Sequence, residues 1–436
     1  MKNALLITLT TLSLPTIVLA QSVTENHDYT DHQSGHHVLN INSLDTTSVS
    51  PDSIRSMIDL FYVDQFRHFQ DPRAPYFLFM SKDANLAMGI GGVVRMRAWA
   101  DWNGSIPANG FVPYLIPVPK DPTQQHKLAA TPAGTAMFFK VIGRNSRVGN
   151  YLAYIECNFD GYNNVGFKLK KAYVTVNDFT VGYSLTTFSD PAANPPTIDG
   201  AGPNGEINKS AVMVRWLHRI KRNWIVSAAL EIPKSMVDAD NVHTKALSDW
   251  TPDVIGFGQY EWDNGNQHVR LSGLLRMIPY RDLSINENVN KIGWGLQLST
   301  VFKPFKRLTL YNSINVGEGI GSYTNDLQIG NYDLVADPDN PNDLYAPMSI
   351  GLTAGMKYNF TPNLYAGVAM GEMRYLPKHG VNDNEYKYGL YGAVNLFWDI
   401  NPRLQVGIEY LYGRRTNFNG EHASANRCDA LFQFSF

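Results

Sequence analysis

The residues whose types and spacing could do chemistry are basic. Arg95 and Arg97, Lys168 and Lys170, Arg215 and Arg219, and Arg270 and Arg276 stand at even separations along the chain. Even separations put both members of a pair on one face of a β-strand, because successive side chains alternate. Cationic groups gathered on one water-facing wall bind anions by replacing part of their hydration. Paired with carboxylates they only rigidify that wall, and Glu156, Asp160, Glu261 and Glu409 share the same parity. A second candidate is the segment 188–209, with Asp190, Asp199 and Glu206 among Pro191, Pro195, Pro196 and Pro203. The prolines make it bent and non-helical. Folded toward the basic face, it would form a narrow eyelet of opposed charges. Otherwise it is an exposed surface loop.

Covalent and metal chemistry find little support. His218, His268, His379 and His422 have no Ser or Asp beside them in a recognisable nucleophile–base motif. No catalytic residue, metal site or cofactor is expected. His27, His32, His36 and His37 cluster near the N-terminus, followed by His68, with a spacing that matches no fixed ligand geometry. Cys157 and Cys428 fall on the outward face of strands that are not neighbours, so two free thiols are expected rather than a disulfide.

The elements that must position these residues are long alternating strands. Leu86, Met88, Ile90, Gly92, Val94, Met96 and Ala98 share one face, opposite Arg95, Arg97 and Asp101. The same pattern recurs at Val269–Met277, at Leu404–Tyr412 and at the terminal run Cys428–Phe436. An apolar face opposite Arg, Glu, Gln and Gly is odd for a soluble core. It suits a barrel with lipid outside and water inside. Seven tight polar turns are legible at 145–146, 177–178, 221–223, 263–266, 303–306, 359–363 and 399–403. They alternate with eight longer loops at about 103–133, 160–163, 188–209, 233–250, 279–290, 318–347, 376–385 and 415–426. The expected fold is therefore all-β: a 16-stranded antiparallel transmembrane β-barrel over 84–436, with both ends on the short-turn side. Closure removes every strand edge, as lipid requires. Such a barrel encloses an aqueous channel. Aromatics sit near strand ends as well as within strands, among them Trp99, Trp102, Tyr154, Phe159, Tyr173, Phe179, Tyr260, Trp262, Phe302, Phe305, Tyr358, Phe360, Trp398 and Tyr412, and the outward ones are expected to form interfacial girdles.

The N-terminus reads separately. Residues 1–20 carry a short basic start, an apolar run broken by Pro15 and a small-residue ending, the pattern of a secretory signal peptide. Residues 21–50 are a polar, disordered leader. Ser50 and Pro51 then begin a helix with Ile54, Met57, Ile58, Phe61, Tyr62, Phe66 and Phe69 at helical spacing, so 51–83 is a helix and linker.

Composition excludes several classes. The 436 residues are 17% charged, against about 25% in soluble domains. Net charge is −2, which gives no global pull on nucleic acid. Aromatics at 12% exclude a disordered chain, and two Cys exclude a disulfide scaffold. No second apolar stretch is long enough for a membrane helix.

The runs Leu169-Lys170-Lys171-Ala172-Tyr173-Val174, Phe179–Asp190, Pro196-Thr197-Ile198-Asp199 and Gly202-Pro203 resemble the DcaP-like outer-membrane porins. Asn85–Gly92, Glu156–Asp160 and the terminal Phe436 are similar to the same family. The resemblance spans about 84–436 and is strongest over 84–215. It implies a trimeric porin in the bacterial outer membrane that passes small anionic solutes, dicarboxylates among them, with segment 188–209 as pore constriction and a periplasmic N-terminal helix. Its partners would be outer-membrane lipid, small anions and two further copies. One departure is that Lys170-Lys171 stands where the family often carries Arg, and an ammonium does not fork around a carboxylate. A selective or gated channel for neutral solutes, and a barrel enzyme, are the alternatives.

Overall fold

The computed structural model describes residues 37–40, 77–81, 85–145, 147–161 and 165–436. The expected signal peptide, the helix at 51–70, His68 and the leader apart from His37–Asn40 lie outside the described residues.

Sixteen strands form the barrel, in chain order. They are β1 Leu86–Trp102, β2 in two segments (Lys127–Thr131 and Ala136–Asn145), β3 Gly149–Asn158, β4 Lys168–Val176, β5 Phe179–Leu185, β6 Ser210–Lys221, β7 Trp224–Glu231 and β8 Asp253–Trp262. There follow β9 Gln267–Asp282, β10 Glu287–Phe305, β11 Leu308–Glu318, β12 Met348–Thr361, β13 Leu364–Leu376, β14 Tyr386–Asp399, β15 Leu404–Asn417 and β16 His422–Ser435. Each pairs antiparallel with the next, and β16 returns to β1 from Asn426↔Trp102 to Ser435↔Val93. The backbone of Phe436 continues that ladder by exchanging hydrogen bonds with Gly92. Short strands add to the wall: Phe77–Met80 lies beside β1, His37–Asn40 pairs with it in parallel, and Thr244–Ala246 lies beside β9.

The alternation that drives closure is visible strand by strand. On β1, Val94, Met96, Ala98 and Ala100 are exposed on the outside, while Arg97, Trp99 and Asp101 are buried inside. On β9, Val269, Leu271 and Leu275 face out and His268, Arg270, Ser272 and Arg276 face in. All seven expected turns join successive strands. Asn177 and Asp263 take φ of 51° and 53° at two of them, a left-handed backbone these side chains tolerate.

Three expectations need correction. The segments 279–290 and 415–426 are mostly ladder, because β9, β10, β15 and β16 run on until only 283–286 and 418–421 are left as loop. Beyond the lipid both faces of a strand meet water, so polar composition there does not mark a loop. The expected loop 103–133 holds the strand Lys127–Thr131, which pairs with β1; of the aromatics, Trp99, Tyr154 and Tyr173 are buried inside, while Phe179, Tyr260, Phe302, Phe305, Phe360 and Trp398 face outward. Asp160 lies beyond the end of β3 and is exposed. Cys157 and Cys428 are both free, as expected.

The apolar core sits inside the barrel and is built by loops. Ile106, Phe111 and Ile116 of loop 1 (residues 103–126) pack on Tyr391, Leu411, Ala423 and Ala425. Phe188 and Ile207 of loop 3 (residues 186–209) pack on Ile255 and Leu274, and on Ile320 and Tyr323 of loop 6 (residues 319–347).

Candidate functional site: the lumen crossed by loop 3

Loop 3 leaves β5 and reaches β9 and β10 first. Asp190 Oδ2 lies 2.8 Å from His268 Nε2 and accepts from Ser299 Oγ at 2.5 Å, and Arg270 Nη1 lies 3.4 Å from Oδ1. Burial works to raise the Asp190 carboxyl, but Arg270, His268 and Ser299 outweigh it and hold it well below the usual carboxylate range. The chain then follows the inner wall. Asn395 on β14 donates to Pro196 O at 2.8 Å. On β15, Glu409 accepts from the backbone N–H groups of Ile198 (2.9 Å) and Asp199 (2.7 Å). On β1, Arg97 Nη1 meets Asp199 Oδ1 at 2.9 Å and Arg95 Nη2 donates to Ile198 O at 2.5 Å. The loop returns through Asn204, which donates to Gly389 O (2.9 Å) and to Asp326 of loop 6 (3.0 Å).

Bare backbone makes this path possible. A Cβ on Gly355 of β12 would come within 2.4 Å of Pro195, and one on Gly371 of β13 within 2.3 Å of Asn204 O. Gly205, at φ 88°, lies against the backbone of β12 and β13. Loop 1 covers the same wall from the outer side. Phe111 N donates to Asp199 Oδ1 at 3.0 Å, and Asn109 O accepts from both Arg97 and Arg427.

The eight basic residues singled out in the sequence divide into groups. Arg97, Arg270 and Arg276 are buried in ion pairs. Arg276 lies 3.1 Å from Asp333 of loop 6 and 3.4 Å from Asp253, and donates to Ser235 and Ser322. Arg219 pairs with Glu261 at 2.6 Å. Lys170 sits at a bulge opposite Glu156 and pairs with it at 2.6 Å, while Lys171, not Lys170, is Glu156's cross-strand partner. Lys168 is exposed at the start of β4, and Arg215 is buried on the inner face of β6. Arg95 is positioned by the break in β2, where Thr135 bonds its backbone N–H and C=O and Gly134 lies over its stem. Of the loop residues singled out, Asp190, Pro195, Pro196, Asp199 and Glu206 all lie within the barrel on this path.

Sequence reasoning placed Asp101 on the polar face without singling it out and gave no role to Asp429, Asn395, Tyr391 and Arg427, which complete the wall behind loop 3. Parity alone places Asp429 and Asn395 inside. Arg427 grips Asp101 in a two-point pair at 2.6 and 3.0 Å. The signal not used was the run of inward glycines on β12–β15, which marks where backbone must approach. Ser299, Asp190 and His268 come together, but Ser and His both bond the same Asp oxygen. That is not the serine–histidine contact a nucleophile needs.

A family model described as DcaP outer membrane protein matches residues 81–436. The crystal structure of the outer membrane channel DcaP of Acinetobacter baumannii is 20% identical, with a TM-score of 0.70, covering 82% of this chain and 99% of that one. A loop L8 deletion mutant of OmpT, an outer membrane protein of Vibrio cholerae, is 11% identical with a TM-score of 0.51, covering 81% and 100%. Salmonella typhi OmpF in complex with daunomycin is 10% identical with a TM-score of 0.51, covering 81% and 98%. At such identities these structures share the fold alone. No curated protein sequence matches the chain.

Proposed function

The chain belongs to the DcaP outer membrane protein family, and from that premise we propose that this outer-membrane barrel is a porin for passive diffusion of small, hydrophilic, preferably anionic solutes. The observation that carries this reading is the charge of the inner wall. On the inner faces of β2–β8, Lys140, Lys170, Lys171, Arg215 and Arg219 outnumber Glu156, Glu231 and Glu261, although Lys170 and Lys171 reach Glu156 and Arg219 reaches Glu261. From β9 round to β1 the inward arginines are matched by loop and wall acids. Solutes of dicarboxylate type would follow the basic half, with loop 3 as the constriction. Arg95 and Arg97 then act mainly by anchoring that loop, and Lys168, Lys170, Arg215 and Arg219 carry the selectivity.

The export signal at 1–20 and the homotrimer belong to the same proposal. Ala98, Ala100, Ala130, Cys428 and Ala430 are exposed on the outside of β16, β1 and β2, with Ala430 opposite Ala98 and Ala98 opposite Ala130. This flat patch suits close contact with another copy. Reversal potential under a salt gradient tests the porin reading. An anion-favouring potential that weakens in Arg215→Ala with Arg219→Ala supports it, and a cation-favouring one discards the anion preference.

A second reading, a gated or substrate-selective channel, is favoured by the extent to which loops 1, 3 and 6 pack against one another inside the barrel.

A further inference from the structure

Between loop 3 and the β14–β16–β1 wall, four carboxylates gather round two guanidiniums. Glu409 and Asp429 are directly opposite across the β15–β16 ladder, a placement in which like charges repel. Arg97 serves Asp199 at 2.9 Å and Asp429 at 3.7 Å. Glu409 is taken up by the two loop 3 amides and Asn395. Glu206 is held by Asn325 at 3.3 Å and by Asn194, two neutral amides and no cation. Neither oxygen of Asp429 has a hydrogen-bond partner, nor does Asp199 Oδ2. The buried Tyr391 hydroxyl also has no partner and feels all four acids.

The surrounding charges do not make up the deficit. Arg95 and Arg97 come from β1, and Arg427 of β16 is bonded to Asp101 while also acting on Asp429. Asp326 of loop 6 adds another acid nearby, held by Tyr386 at 2.6 Å and by Asn204, with Arg415 of β15 within its field. Several buried carboxylates without donors are costly when all are ionised. A carboxyl that keeps its proton becomes a donor, and Tyr391 can donate to a neighbour that does not.

We propose that Glu206, buried in the same cluster as Asp199, Asp429 and Glu409, is the proton-operated catch of a latch that holds loop 3 against the wall, and that loss of its proton to water releases the loop and widens the pore. This deepens the channel reading above and rests on it. The sign follows from Glu206. Burial pushes its carboxyl up to about 8, with Asp199 adding to the effect against the Asn325 and Asn194 hydrogen bonds. An acid raised above its unfolded value of about 4.3 favours the latched state most at low pH. That preference is lost as pH rises from about 4.3 through about 8.

The test is single-channel conductance of the full-length protein in planar bilayers between about pH 5 and about pH 9. Wild type is expected to show larger or more frequent open levels at the alkaline end. Glu206→Gln, which keeps a donor at every pH, is expected to stay at the acid-side level throughout. Amide exchange of residues 186–209, referenced at each pH to barrel-strand amides, gives a readout that needs no variant. It is expected to rise at least about tenfold across the range. Channels whose conductance and loop exchange are flat with pH overturn the latch and leave the porin standing. A wild-type pH profile retained in Glu206→Gln overturns it too. A folded barrel with no conductance at any pH overturns the porin reading itself.

Discussion

At the scale of the residue, the lesson is that a basic side chain inside a barrel is defined by what the loops bring to it. Arg270 has its Nε donating to Gln259 at 2.8 Å and an Nη1 donating to Ser189 O at 3.1 Å, beside Asp190. Buried pairs of this kind add little net stability over an apolar packing, but breaking one is expensive. Arg270→Ala is therefore expected to cost about 3–5 kcal/mol locally and to raise amide exchange in residues 186–194 before the barrel melts. Asp190 sets an acid limit. Its folded carboxyl lies below the unfolded value of about 3.9, so its contribution is full above that pH and falls away below it. Asp190→Asn is expected to lose stability at neutral pH and to flatten the acid-side loss, as read by melting between about pH 3 and about pH 7.

At the scale of the element, loop 3 is held by where the wall lacks side chains as much as by ion pairs. Gly355 and Gly371 open a track for Pro195 and Asn204, and the pleat puts both glycines on the inner face. Gly355→Leu should displace the loop without disturbing the ladder, because the new side chain projects into the lumen. The expected outcome is a larger single-channel conductance with unchanged strand content by circular dichroism. An unchanged conductance would show that the loop does not narrow the path. The break in β2 works the same way in reverse: its residues 132–135 leave the ladder, and Thr135 and Gly134 fix the direction of Arg95.

At the scale of the whole molecule, closure of β16 on β1 decides everything outside the lumen. Each of the sixteen barrel strands then has a neighbour on both sides, and the outer surface presents side chains such as Leu271, Leu275 and Ile408 to lipid. Leu271→Arg is expected to destabilise the barrel by about 2–4 kcal/mol if it lies at the bilayer midplane, less nearer the interface. The heat-modifiable gel shift against urea in bilayers reads this directly. Ala98→Trp tests the flat patch: loss of the trimer by native mass measurement with the monomer barrel intact is expected, and an intact trimer would place the contact elsewhere.

The sequence by itself determined the barrel. Period-two alternation, turn chemistry at Asn177 and Asp263, and the apolar outward face of the last strand are local properties, and each strand reports them independently. Parity also placed most of the inward charges, and it failed where a strand ended before Asp160 and where a bulge shifted the register at Lys170. What only the tertiary structure decided is which of those charges are spoken for. Asp199 and Arg97 are far apart in the chain, as are Asp190 and His268, and they meet because closure brings distant walls within reach of one loop. Trp99, Tyr154 and Tyr173 turn inward while Phe179 and Trp398 turn outward, and a large aromatic looks the same to composition whether it faces lipid or lumen. Ion pairing across a lumen is a property of three-dimensional proximity, and no period in the chain encodes it.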